Sequence, residues 1–356
     1  MLLTVSMVAV GCGTSAGNTE SEGDKTGGES AVSTEGETAD NVAGVVTGGE
    51  IKTGLATVTT ISDSKDAAAE EEGTAQADVT IAAVTVDADG KIVSCRIDIA
   101  QTQIYFGADG TIFSNLEAEY PSKQELGDSY GMKVASSIGK EWNEQADAFA
   151  AYCVGKTADE VTGIAVTEEG TAADTDLAAS CTMHIGGFQS AVAKAVNNAT
   201  AAGAAAGDLL GLGVTTNIAK STAATADEAG VAQAYTTISV VTVNGEGKIT
   251  SAIIDAVQAN INFDVNGKIT SDLTAEVPSK NELGDSYGMK SASTIGKEWN
   301  EQAAAYAAYA VGKTLDEVNG TAVTEGVPSD ADLAASVTIH IGDFNTVLTK
   351  AVNSAK

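Results

Sequence analysis

The chain has 356 residues, more than one ordinary domain needs, and carries 49 acidic against 19 basic residues, a formal net charge of -30. So acidic a chain repels phosphate backbones and anionic lipid surfaces, which excludes nucleic acid as a partner. Aromatic residues make up 4% of it, so its cores must rest on Val, Ile, Ala and Leu.

Residues 1–11 are a short apolar run in which Ala9, Val10 and Gly11 precede Cys12. A bilayer-spanning helix needs about 20 residues, so this run cannot be one. It resembles the signal and lipobox of bacterial lipoproteins. That resemblance implies removal of residues 1–11, lipidation of Cys12 and an extracytoplasmic protein anchored to the bacterial cell membrane. An ordinary signal peptide is the alternative. Residues 12–50 are rich in Gly, Ser, Thr and Glu and hold too little apolar surface to fold, so they read as an acidic tether.

An internal repeat decides the rest. "SKQELGDSYGMKVASSIGKEWNEQ" begins at Ser122 and "SKNELGDSYGMKSASTIGKEWNEQ" at Ser279. The two copies span residues 51–200 and 208–356, with a small-residue linker between. At roughly 150 residues each copy can bury its own core, so two similar domains are expected. Each opens with alternating β-branched runs. Asp89-Gly90 and Asp109-Gly110 punctuate the first copy, Glu246-Gly247 and Asn266-Gly267 the second, which predicts a meander of antiparallel strands. In "GKEWNEQADAFAAYCVGK", Trp142, Ala146, Phe149, Ala150 and Cys153 recur at helical spacing. "TADE" from Thr157 offers a capping box for a short helix. "GGFQSAVAKAVNNA" predicts a last amphipathic helix with Phe188, Val192 and Val196 inward. The fold class is α+β: two tandem copies of an antiparallel β-meander packed with C-terminal helices.

Cys95, Cys153 and Cys181 follow Cys12, and the second copy replaces them with Ala252, Ala310 and Val337. Small apolar replacements imply that these thiols act as small hydrophobes. A single Cys153–Cys181 bridge stays open as an alternative.

Three constellations could carry chemistry. "GDSYG", at Gly127–Gly131 and again at Gly284–Gly288, matches the G-x-S-x-G of serine hydrolases, with Asp176 and His184 following Ser129 in the expected order. No apolar strand precedes it, so a glycine-punctuated loop anchored by Tyr130 and Met132 is the preferred reading. Tyr130 and Lys133 are ligand candidates within that loop, Trp142 reads as core, and Glu141 and Glu144 as a solvated helix face. The third constellation is "DLAASCT" at Asp176–Thr182, repeated as "DLAASVT" at Asp332–Thr338 and followed by a helix. Small residues let backbone approach a ligand closely. His184 and His340, the only histidines, read as half-buried structural residues, and one per copy does not make zinc spacing.

This third motif, the Asp-Gly-Lys-Ile type turns and the tether are similar to those of the FMN-binding domain family, which includes flavin-carrying surface lipoproteins, and of membrane-immunogen-like surface lipoproteins. The resemblance implies FMN as cofactor and redox proteins as partners. It assigns Asp176 and Asp332 to the leading Asp of the family motif, and Thr182 and Thr338 to the Thr that a transferase joins to FMN. Ser180 and Ser336 stand where the family has Gly or Ala, and the loop tyrosines Tyr130 and Tyr287 are the further candidates for contact with the flavin. The expected function is electron transport outside the membrane. The alternatives are a non-catalytic surface protein that binds another ligand or partner, and a serine hydrolase.

Overall fold

The computed structural model describes residues 50–356. The signal peptide, the lipidation at Cys12 and all but the last residue of the tether lie outside the described residues. Each repeat contains a three-stranded antiparallel sheet in simple meander order. In the first, β1 (Lys52–Thr60), β2 (Gly73–Val86) and β3 (Ile92–Phe106) run side by side. In the second, β4 (Leu209–Asn217), β5 (Gly230–Val243) and β6 (Ile249–Phe263) repeat the arrangement.

The β2–β3 turn shows why the sequence reverses there. The carboxylate of Asp87 accepts from the amides of Asp89 (3.0 Å) and Lys91 (2.8 Å), and Gly90 takes φ 75°, a conformation glycine adopts without steric cost. Asn244 plays the Asp87 part in the second repeat, accepting from Glu246 and Lys248 at 3.0 Å each.

Helices cover one face of each sheet. The first repeat has α1 (Lys123–Leu126), α2 (Trp142–Cys153), α3 (Ala158–Thr162), α4 (Thr175–Ala178) and α5 (Gly186–Asn197). The second has α6 (Lys280–Leu283), α7 (Trp299–Ala310), α8 (Leu315–Asn319), a two-residue hairpin of β7 (Val323–Thr324) and β8 (Val327–Pro328), α9 (Ala331–Ala334) and α10 (Gly342–Ser354). The capping box expected at Thr157–Glu160 is formed at α3. All five expected stripe residues of α2 are buried, against Ala82, Val84 and Ile97 of the sheet and Phe188 of α5. Cys153 and Cys181 lie inside this core as free thiols, so no bridge joins them. Burial pushes the Cys153 thiol up to about 12, which suits a small hydrophobe rather than a nucleophile.

Helices α5 and α10 sit unusually close to their sheets. A Cβ on Gly54 would lie 2.0 Å from the Ala195 carbonyl oxygen, and one on Gly211 would lie 1.9 Å from that of Ala351. Gly211→Ala must therefore push α10 off the sheet. A loss of about 3 kcal/mol, the upper part of the usual range for overpacking, is expected in urea unfolding. Stability within about 0.5 kcal/mol of the parent, the scale of a neutral surface change, would refute this close approach.

The opposite faces of the two sheets pack on each other. Leu55, Val79 and Ile81 meet Leu212, Ile238 and Val240 in one cluster. Ile104 and Phe106 meet Ile261 and Phe263 in another. The described residues thus belong to one compact unit of four layers, helix–sheet–sheet–helix. The repeats are related by an approximate two-fold exchange. Phe106 stacks on its own counterpart Phe263 at 4.3 Å. The amide of Ala67 donates to the Gly267 carbonyl, and that of Ala224 to the Gly110 carbonyl, both at 2.8 Å. Such reciprocity is the mark of an isologous interface, here within one chain.

Candidate functional site

The first turn of α2 organises the region that sequence singled out. Glu141 precedes it. The solvated role expected for this residue is wrong: it is 2% exposed, and its carboxylate accepts from the amides of Met132 (2.8 Å) and Lys133 (2.9 Å). Glu144 in turn caps the Glu141 amide at 2.7 Å. These bonds fold the "GDSYGMK" segment into two short 3-10 turns with Gly131 at φ 79°. No strand leads into Ser129, and among the described residues its hydroxyl has no histidine partner. The strand–turn–helix geometry of a nucleophile elbow is therefore lacking. As expected, Tyr130 and Met132 pack down on the core. Lys133 is exposed.

One turn into α2, Gln145 is fully buried. Its Nε2 donates to the Ser136 hydroxyl and the Lys140 carbonyl, both at 3.1 Å. Its Oε1 accepts from the Thr182 amide at 2.9 Å and from the Thr182 hydroxyl at 3.2 Å. The second repeat repeats this on Gln302, which accepts from the Thr338 amide at 2.8 Å and hydroxyl at 3.2 Å. Both threonines are half-buried. Sequence marked Thr182 and Thr338 but gave no sign of the glutamines that hold them. Gln145→Leu leaves the Thr182 amide without its acceptor, so a loss of about 2 kcal/mol is expected in chemical denaturation. Thr182→Val keeps the amide bond and should cost about half as much.

The rest of the motif faces elsewhere. Asp176 and Asp332 are exposed on the first turns of α4 and α9, and the caps of those helices are Asp174 and Asp330. The Ser180 hydroxyl donates back to the Leu177 carbonyl at 3.2 Å, and the Ser336 amide to that of Leu333 at 2.9 Å. Neither serine is bonded to the threonine two residues on. His184 and His340 are exposed rather than half-buried.

Two lysines were missed by sequence reasoning, because a Lys at the start of "KQEL" looks solvated. Lys123 and Lys280 are only 8% and 4% exposed. Lys123 Nζ lies over Tyr130 (4.8 Å) and Trp142 (5.6 Å). Lys280 Nζ lies among Tyr235 (4.5 Å), Tyr287 (4.4 Å) and Trp299 (4.8 Å), and donates to the Tyr235 hydroxyl at 2.8 Å. Burial holds the Lys280 ammonium down at about 8, although Asp255 nearby opposes the shift. The aromatic faces compensate part of the lost hydration. The cage and the threonine loop thus lie against the same first turn of α2, or of α7 in the second repeat.

Strands β3 and β6 carry a second pair of buried titratable groups, Asp98 and Asp255, on the side of Ala100 and Val257 that faces the other sheet. Burial raises them to about 7 and about 6, while neighbouring serines and backbone amides pull the other way. Asp98 accepts from the amides of Ile99 (2.7 Å) and Gln124 (3.0 Å), and so fixes the start of α1 beside Lys123.

No protein-family model matches the chain, and no solved structure does. A stretch of 94 residues is 34% identical to a chlorophenol reductase of Desulfitobacterium hafniense. The match covers 23% of this chain and 29% of that protein, less than one repeat, so it shows no family. Similarity to a reductase is compatible with a redox protein. Among the described residues no helix is long and apolar enough to cross a membrane.

Proposed function

We propose that the chain is an electron-carrying surface lipoprotein that binds FMN at two equivalent places, one in each repeat. The observation that carries this reading is the shared setting of Thr182 and Thr338. Amide and hydroxyl are both turned onto a buried glutamine, although the residue before the threonine differs, Cys181 in one copy and Val337 in the other. The donor set fits the cofactor: a half-buried hydroxyl held in one orientation, with a caged ammonium and aromatic side chains against the same helix turn. FMN would supply one- and two-electron chemistry, and the protein would supply position and electrostatics. Gln145 and Gln302 would orient the hydroxyl. Lys123 and Lys280 would offer positive charge to a phosphate in an otherwise acidic chain. The reductase similarity supports a redox role. Cys12 would carry the lipid that anchors the chain outside the membrane, with redox proteins as partners.

Full-length protein made in a host with a flavin transferase should be yellow and fluoresce in a denaturing gel. Thr182→Val with Thr338→Val should abolish the gel fluorescence. A colourless protein whose addition leaves the absorption spectrum of FMN unchanged would sink the reading. Non-catalytic binding of another ligand is the second reading, favoured by an open groove between the repeats.

A further inference from the structure

The approximate two-fold creates two seams where the helical layer of one repeat meets the sheet edge of the other. The charged bridge over each is shared: Lys350 pairs with Glu125 at 2.6 Å across the first, and Lys194 with Glu282 across the second. Beneath the bridges the seams differ. The first is filled by long charged side chains. Arg96 Nη2 donates to the Ser354 carbonyl at 2.6 Å, and Lys356 pairs with Asp147 at 2.9 Å. At the corresponding positions the second seam has Ile253 for Arg96, Ala304 for Asp147 and Thr200 for Lys356.

Those exchanges leave an open groove in two continuous parts of about 380 and 450 Å³, joined at Thr200, Ile253 and Asn281. This is the size range of small-molecule sites. One part is walled by apolar side chains, Ile254, Ala304, Ala308 and Val311 among them. The other part is polar. Asp255, 5% exposed, lines it and forms no ion pair among the described residues. Thr57, 3% exposed, also lines it, and its buried hydroxyl has no hydrogen-bond partner. A buried, unpaired hydroxyl costs free energy unless a ligand or water satisfies it. The cations close by are engaged elsewhere: Lys194 is bound by Glu282 and donates to the Thr57 carbonyl at 2.9 Å, and Lys280, though near Asp255, is held in its aromatic cage and donates to the Tyr235 hydroxyl.

We propose that this groove binds a small amphipathic amine, its ammonium between Asp255 and Thr57 and its apolar body along Ile253 and Val311. An ammonium carries three donors and a charge, which matches a carboxylate held by backbone amides but without an ion pair, and a hydroxyl without a hydrogen-bond partner. A carboxylate ligand would be repelled, and an alcohol would satisfy one acceptor and no charge. The site is separate from the flavin reading, which concerns Thr182 and Thr338.

The test is calorimetric titration of the flavin-free full chain with 2-phenylethylamine, 2-phenylethanol and phenylacetate. The amine should bind at least about tenfold more tightly than the alcohol, and phenylacetate should give no heat of binding. Asp255→Asn, which keeps an oxygen for the amides of Ala256 and Asn281, should weaken the amine about tenfold or more. Thr200→Lys, at an exposed position, restores the cation of the first seam and should do the same while leaving thermal unfolding unchanged. Equal binding of amine and alcohol, or amine binding unaltered by both substitutions, overturns the proposal.

Discussion

A chain cut to residues 50–204, carrying the first repeat alone, is expected to sediment as a dimer. Its helices and the outer face of its sheet would remain complete, because that core draws only on its own residues. Its inner face would not. Leu55, Val79, Ile81, Ile104 and Phe106 are all buried, and they pack against the second repeat. A contiguous apolar sheet face of this kind exceeds what soluble monomers leave in water. A second copy can cover it, because the native contacts are reciprocal: Phe106 would stack on Phe106, and the Gly110 carbonyl would receive the Ala67 amide of the partner. Analytical ultracentrifugation at micromolar concentration decides the matter. A folded, monodisperse monomer would show that the sheet-to-sheet packing is dispensable.

Asp98→Asn is expected to stabilise the protein at pH 8 by about 2 kcal/mol and to change little at pH 4, a difference read from urea unfolding at the two values. The folded carboxyl titrates at about 7, against about 4 in an unfolded chain. Between these values the folded state holds the extra proton, so stability falls as pH rises through the window. A carboxyl displaced this far destabilises the ionised folded state by about 4 kcal/mol at most, and relaxation around the charge reduces this. Asn removes the charge and retains an oxygen for the amides of Ile99 and Gln124. Asp255, at about 6, should show the same behaviour over a narrower window. Equal gains at both pH values would mean that ionisation is not the cause.

The meanders, the long helices and the duplication were legible because each rests on local rules. Asp-Gly turns, a 3.6-residue stripe and a capping box report on their own neighbourhoods. The sheet-to-sheet packing also left a trace. β2 reads almost continuously apolar or β-branched from Val79 to Val86, as a strand covered on both faces must. Alternation in the flanking strands masked it. Lys123 and Glu141 misled for a different reason. Their charged types predict solvent, whereas their burial is made tolerable by aromatic faces and by unpaired backbone amides that only the folded chain brings near. The Asp-to-Thr motif divided likewise. Thr182 is held by a glutamine 37 residues earlier, a partner that spacing within the motif cannot indicate.

The two seams carry a lesson about joining copies end to end. In a dimer of identical chains one codon governs both clefts, so a residue good for holding subunits together is imposed on the place where a ligand would enter. Once the copies share a chain, each cleft has its own residues. One can keep its arginine, aspartate and lysine as a fastening while the other gives them up and becomes a mouth. The division of labour is thus written in three positions, 96, 147 and 356 against 253, 304 and 200, while the meander and its helices stay the same in both copies.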